Sequence, residues 1–240
     1  MAISITNLSG GNTPADGSDP RTFPAIWNAT ATDLEGVATD LDTLEATVGA
    51  HDLNSLSGVG ITTPVEGDLL TYNGTSWVNG VPAGSILQVV STTKTDTFSA
   101  SVATDTISAD VTGLTATITP VATSSKILVR YSITTGVSNS AQNLLTILYR
   151  DGSAVGVADA EGSRTRATAP SRPAGSLDIA PTGSEFLDSP SSTSALVYSV
   201  RVAHGSSSTE TIYVNRSSGD TNDFGPGRFV SSITLMEVAG

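Results

Sequence analysis

The chain has no cysteine, two histidines and few charged residues, 14% of its 240. Without thiols there are no disulfide staples, thiolate metal sites or cysteine nucleophiles. Two histidines leave little scope for acid–base chemistry near neutral pH. Aromatic residues are sparse as well, at 5%. No apolar run approaches the roughly 18 residues that a membrane-crossing helix needs, so no membrane insertion is expected. The first residues, MAISITNLSGG, lack a basic region and a continuous apolar run, so no signal peptide is expected there. Four Asn-x-Ser/Thr matches, at Asn7, Asn28, Asn73 and Asn215, therefore carry no expectation of glycosylation.

Positive charge is the scarcest commodity. The formal net charge is −12, and residues 1–80 hold ten acids against one base, Arg21. Such a surface repels phosphate backbones and anionic lipid, which removes nucleic acid and membrane surfaces as expected partners. What is abundant is Ser, Thr, Gly, Ala and Val. That mixture suits pleated surfaces with short turns, and the chain is predicted to be mainly β.

Residues 1–24 contain Gly10, Gly11, Gly17, Pro14, Pro20 and Pro24 with little periodicity, and are expected to form an extended arm. Over residues 25–51 the pattern changes. Leu34, Val37, Leu41, Leu44 and Val48 are separated by three, four, three and four residues, the heptad spacing, and the register extends back to Trp27. Thr32 and Glu35 form a capping box at one plausible start, with Pro24 as another. A helix of that length, weakened by Gly36 and several threonines, is marginal alone. Its seam must lie on the β-rich remainder or pair with copies of itself. Leu at a, with branched Val37 at a d position, disfavours a parallel dimer, so a short three-stranded coiled coil is expected.

Residues 52–83 read as a linker with a β-hairpin. Asn73-Gly74 between 69–72 and 75–78 is the signature of a two-residue turn. The elements L-x-S-L-S-G-V from Leu53, T-P-x-x-G-D-L-L from Thr63 and Y-N-G-T-S-W-V-N from Tyr72 resemble a linker of phage tail-fibre and head-fibre proteins. That match covers under an eighth of the chain and contains no catalytic residue.

From residue 84 to 240 the texture is β. Ile127, Val129, Tyr131 and Ile133 alternate with polar neighbours, as do Leu196, Tyr198, Val200 and Val202. Asp151-Gly152 predicts a second hairpin between 144–150 and 153–157. Further strands are predicted at 86–90, 97–102, 106–111, 114–119, 211–215 and 229–238. About nine short strands point to a sandwich of jelly-roll type. The runs ITPVATSSKILVRYSI and SSITLMEV also resemble the C-terminal heads of phage fibres, which are often trimeric jelly rolls shaped like C1q and tumour necrosis factor. The resemblance implies a virion appendage assembled in the host cytoplasm. Its arm would dock to other virion proteins, its stalk trimerise through Leu34, Val37, Leu41, Leu44 and Val48, and its head face a host glycan or protein.

Candidate chemistry is thin. His204 precedes a serine-rich turn, but no G-x-S-x-G elbow is present. Glu185 and Asp188 are the nearest pair of acids in the head for a glycosidase, in a segment read as a loop. Asp220, Asn222 and Asp223 make a partial calcium-loop spacing without the full motif. No catalytic residue, metal or cofactor is expected. The irregular stretches 158–176 and 215–227 carry or border Arg164, Arg166, Phe224 and Arg228, residue types that grip sugars and polyanions. They are the candidate receptor contacts, with pairing of Arg164 and Arg166 to Asp159 and Glu161, or to a neighbouring subunit, as the alternative.

Overall fold

The 3-4 spacing of leucine and valine produces a helix, α1, over residues 34–46 in a computed structural model. The structure describes residues 34–46, 53–65, 67–139, 143–224 and 227–240. The arm, Thr32, Trp27, Val48 and His51 lie outside these. The described residues fall in two compact units that divide at Gly80/Val81.

The first unit holds α1, a 3-10 turn at Leu53–Ser55, and strands β1 (Val59–Gly60), β2 (Leu69–Tyr72) and β3 (Trp77–Gly80) in the order β1-β3-β2. The β2–β3 hairpin exists, but its connection is four residues, because Tyr72 pairs with Trp77. Asn73 explains the longer turn. Its side-chain oxygen accepts the amides of Thr75 and Ser76 at 3.0 and 2.9 Å, while Gly74 adopts φ +98°.

The second unit has eleven strands: β4 (Ile86–Lys94), β5 (Phe98–Val102), β6 (Thr115–Ile118), β7 (Lys126–Val137), β8 (Leu144–Arg150), β9 (Ser153–Ala154), β10 (Ala169–Ser171), β11 (Ile179–Asp188), β12 (Leu196–His204), β13 (Glu210–Val214) and β14 (Ser231–Val238). One sheet runs β4-β14-β7-β13-β5, with β11 on the other edge of β7. The second runs β10-β8-β12-β6, with β9 beside β8. Set aside β5, β9 and β13, and eight strands remain. In chain order they alternate first, last, third, sixth in one sheet and second, seventh, fourth, fifth in the other, the jelly-roll arrangement.

Alternation builds the core. Ile127, Val129, Tyr131 and Ile133 on β7 face Leu144 and Leu148 on β8 and Tyr198, Val200 and Val202 on β12 in a single buried cluster. Ile147, Tyr149 and Ala203, on the other face of the second sheet, form a smaller cluster covered by Val157 and Ala167. The Asp151-Gly152 turn takes the predicted primed form, with φ +48° and +79°.

Two further expectations are overturned. Residues 106–111 form no strand, contributing only an isolated bridge from Ile107 to Ala203. The segment around PTGSEFLD is not a loop but the ten-residue β11, paired with β7 along its whole length. Pro181 and Gly183 suggested a turn, but both are tolerated on an edge strand. Gly183 is also required by close approach, since a Cβ there would lie 2.5 Å from the Tyr131 carbonyl oxygen.

A polar hub closes the first sheet where β13 and β14 meet end to end along β7. Asn215 is fully buried at φ +63°. Its Nδ2 donates to the carbonyls of Lys94 and Asp96, both at 2.9 Å, and its Oδ1 accepts from Ser231 at 2.6 Å. A single left-handed asparagine thus ties the end of β4, the end of β13 and the start of β14.

Candidate functional site

On α1, positions a and d carry Leu34, Val37, Leu41 and Leu44, a single stripe by helical geometry. All four are more than half exposed, between 51% and 59%. Within the helix the Thr39 and Thr43 hydroxyls donate to the carbonyls of Glu35 and Thr39 at 2.9 and 2.8 Å, back-bonding that satisfies the hydroxyls and slightly weakens the helix.

The two candidate contact loops are separate features. In the first, Ala158 N donates to the Ala167 carbonyl at 3.3 Å, and Arg166 Nε donates to the Ala158 carbonyl at 2.5 Å. Arg166 therefore closes its own loop. Arg164 is exposed, and no ion pair joins Arg164 or Arg166 to Asp159 or Glu161 among the described residues. In the second, Arg228 is ion-paired with Asp220, which Arg216 also approaches at 3.6 Å. Arg216 in turn lies 4.2 Å over the Tyr213 ring. These contacts fasten the base of the loop and leave Phe224 fully exposed.

The calcium spacing dissolves in this geometry. Asp220 faces two guanidinium groups, which a divalent cation would have to displace. No group of three His, Asp or Glu side chains is assembled among the described residues.

The carboxylate pair dissolves too. Glu185 and Asp188 are three residues apart on a strand, so they point to opposite faces. Glu185 lies outside with Arg130 at 3.3 Å, both largely exposed. Asp188 points inward, is 5% exposed, and accepts from Arg150 at 2.6 Å and from the Tyr198 hydroxyl at 2.7 Å. It bridges the two sheets. Burial, followed by the bond to Asp188, raises the Tyr198 hydroxyl above its ordinary value.

His204 is buried between backbone partners. One ring nitrogen meets the Val102 carbonyl at 2.7 Å, so that nitrogen carries the proton, and the other accepts the Ser206 amide at 3.1 Å. No ring nitrogen is left to activate a serine. Nearby Glu210 accepts from Ser138, Ser206 and Ser208 at 2.9 to 3.1 Å. Burial pushes its carboxyl up, but the hydroxyls outweigh it and hold it below the usual range. Glu237 behaves alike, with burial opposed by Gln88 and the Val121 amide at 2.5 and 2.7 Å. Asp110 is likewise lowered: burial works against its charge, and Arg201 and Ser199 overcome it.

Sequence reasoning missed an open apolar face on the small sheet. Cross-strand partners share a face, so Val59, Trp77 and Tyr72 stand in one row, with Leu70 in the next row on the same side. The Tyr72 and Trp77 rings are 5.5 Å apart. Leu70, Tyr72 and Trp77 are 42%, 57% and 48% exposed. The signal was present as the Leu70-x-Tyr72 alternation.

No family model matches the chain, and no curated protein matches it either. Among solved structures, it resembles one of the infectious bursal disease virus Gx strain with a TM-score of 0.30 and 13% identity, covering 71% of this chain and 46% of that one. A VP2 subviral particle of infectious bursal disease virus gives 0.29 and 10%, over 71% and 45%. The chain spans less than half of either neighbour, and likeness at this level carries neither fold nor function across.

Proposed function

We propose that this chain is a non-enzymatic structural protein of a phage particle, a trimeric tail or baseplate fibre that attaches the particle to a host surface glycan or protein. The arm of residues 1–24 docks to other virion proteins, α1 is the stalk, and the jelly roll is the head. One observation carries the reading: a heptad stripe of four large apolar residues stands open to water on a helix too short to be stable alone. Sister copies supply the missing face. Support for a phage appendage comes from the linker and head runs described above. Three linked heads gain affinity by engaging together, and the exposed Phe224 and Arg164 are the side chains best placed to touch a receptor. The absence of catalysis is supported by Glu185 and Asp188 facing opposite ways and by a histidine spent on backbone.

Light scattering of the full chain tests the reading. The expected mass is about three times 24.3 kDa, and Leu41→Asp should bring it to the single-chain value while leaving the β circular dichroism intact. A wild-type monomer sinks the proposal. A second reading, a capsid decoration or head fibre with a purely structural role, is favoured by the engagement of Arg166 with the Ala158 carbonyl and of Arg228 with Asp220. Labelled antibody against the arm on intact particles separates tail from capsid. A polysaccharide-degrading tailspike, the third reading, requires reducing-sugar release that Glu185→Gln abolishes.

A further inference from the structure

We infer that the linker sheet is itself a subunit interface: its open face, formed by Val59, Leu70, Tyr72 and Trp77, packs against the same segment of a second copy of this chain. The inference rests on the self-assembly proposed above and extends it from helix to sheet. Residues 53–80 form a paired three-stranded sheet, yet none of the described residues from 34 to 80 is buried. A segment of about 30 residues without a core does not hold a sheet in water. Below about 40 residues, disulfides, metals or oligomerisation are needed. The chain has no cysteine, and the described residues assemble no metal-binding cluster. Of these three devices, oligomerisation remains for the described residues.

Charge selects the occupant. Residues 1–80 carry ten acids and one base, so two copies repel wherever their acids meet. The four apolar residues of the open face carry no charge. Asp68 lies on the same side, two residues before Leu70, with its carboxylate engaged by Asn79 at 2.6 Å and by the Val65 amide at 3.1 Å. Only six residues, 47–52, separate the segment from α1 in sequence. Copies zipped along α1 therefore deliver their sheets to one another at high effective concentration.

Adjacent residues on opposite faces provide the test. Leu69 and Leu70 are both exposed in the single chain, at 57% and 42%, but lie on opposite sides of β2. In this cysteine-free background, Leu70→Cys and Leu69→Cys full-length chains each present one thiol. In the assembled protein the Leu70→Cys thiol should react with a maleimide at least tenfold more slowly than the Leu69→Cys thiol. On mild oxidation it should form interchain disulfides. Equal reaction rates in a chain that light scattering shows to be trimeric overturn the inference and leave the stalk standing. Protection without interchain disulfide places the cover within one chain and overturns it equally. A monomeric wild type removes both readings. If Leu70→Cys does not assemble, Tyr72→Cys on the same face carries the same expectations.

Discussion

Replacing Asp188 by alanine removes a carboxylate that bridges the two sheets of the head, and its cost follows from the partners it leaves. The Tyr198 hydroxyl is fully buried and loses its acceptor, which costs about 1–3 kcal/mol. Arg150 also loses its counter-charge. Its side chain is 27% exposed and turns partly to water, so its share is about 1 kcal/mol. The sum is about 3 kcal/mol, a fall of about 6–12 °C in melting temperature for a domain of this size. Calorimetry at fixed protein concentration measures it, since assembly makes melting concentration-dependent. Tyr198→Phe, which leaves the Asp188–Arg150 pair intact, should cost about half as much, and the double variant should show positive coupling. Glu185→Gln breaks only an exposed pair and should stay within about 0.5 kcal/mol. An Asp188→Ala cost below about 1 kcal/mol, or an equal cost at Glu185, refutes the structural assignment of these two acids.

Further predictions concern the hub, the pH limits and the exposed loop. Asn215→Ala removes three side-chain hydrogen bonds at a left-handed residue and strands the buried Lys94 carbonyl and the partly buried Asp96 carbonyl, so a loss of about 3 kcal/mol in chemical denaturation is expected. Asp110, Glu210 and Glu237 have lowered values when folded, so their stabilisation is full above the unfolded carboxylate range. It drains as pH falls below about 4. Tyr198 is raised, so its contribution is full below about pH 10 and is lost as pH climbs beyond. Melting temperature against pH should therefore decline on both sides, and no decline between pH 5 and 3 counts against the carboxylate contacts. Phe224→Ala should leave melting unchanged within about 0.5 kcal/mol while weakening adsorption of particles to host cells. Undiminished adsorption removes Phe224 from the contact surface.

Much of this organisation is written locally. The 3-4 spacing from Leu34 to Leu44 specifies a helix with one apolar stripe. The alternation of Ile127, Val129, Tyr131 and Ile133 specifies a half-buried strand, and Asp151-Gly152 dictates a primed turn. Each follows from a period or a backbone preference within a few residues, without knowledge of what lies opposite. β11 was illegible for the converse reason. Pro181, Thr182, Gly183 and Ser184 have turn propensity, and they become a strand only because β7 offers an unpaired edge that takes a proline and demands a glycine. Glu185 and Asp188 looked like neighbours in sequence. The pleat sent one to water and the other between the sheets.

By itself, then, the amino-acid order determined period, polarity and turn, the features that act between residues close along the chain. Only tertiary structure decided which sheet each strand joined, which acids became structural, and where Asn215 had to tie three strand ends. Those outcomes depend on hydrogen-bond edges and partners brought together across up to about 150 residues, such as Gln88 and Glu237. Distance along the chain carries no trace of such meetings until the backbone has closed on itself.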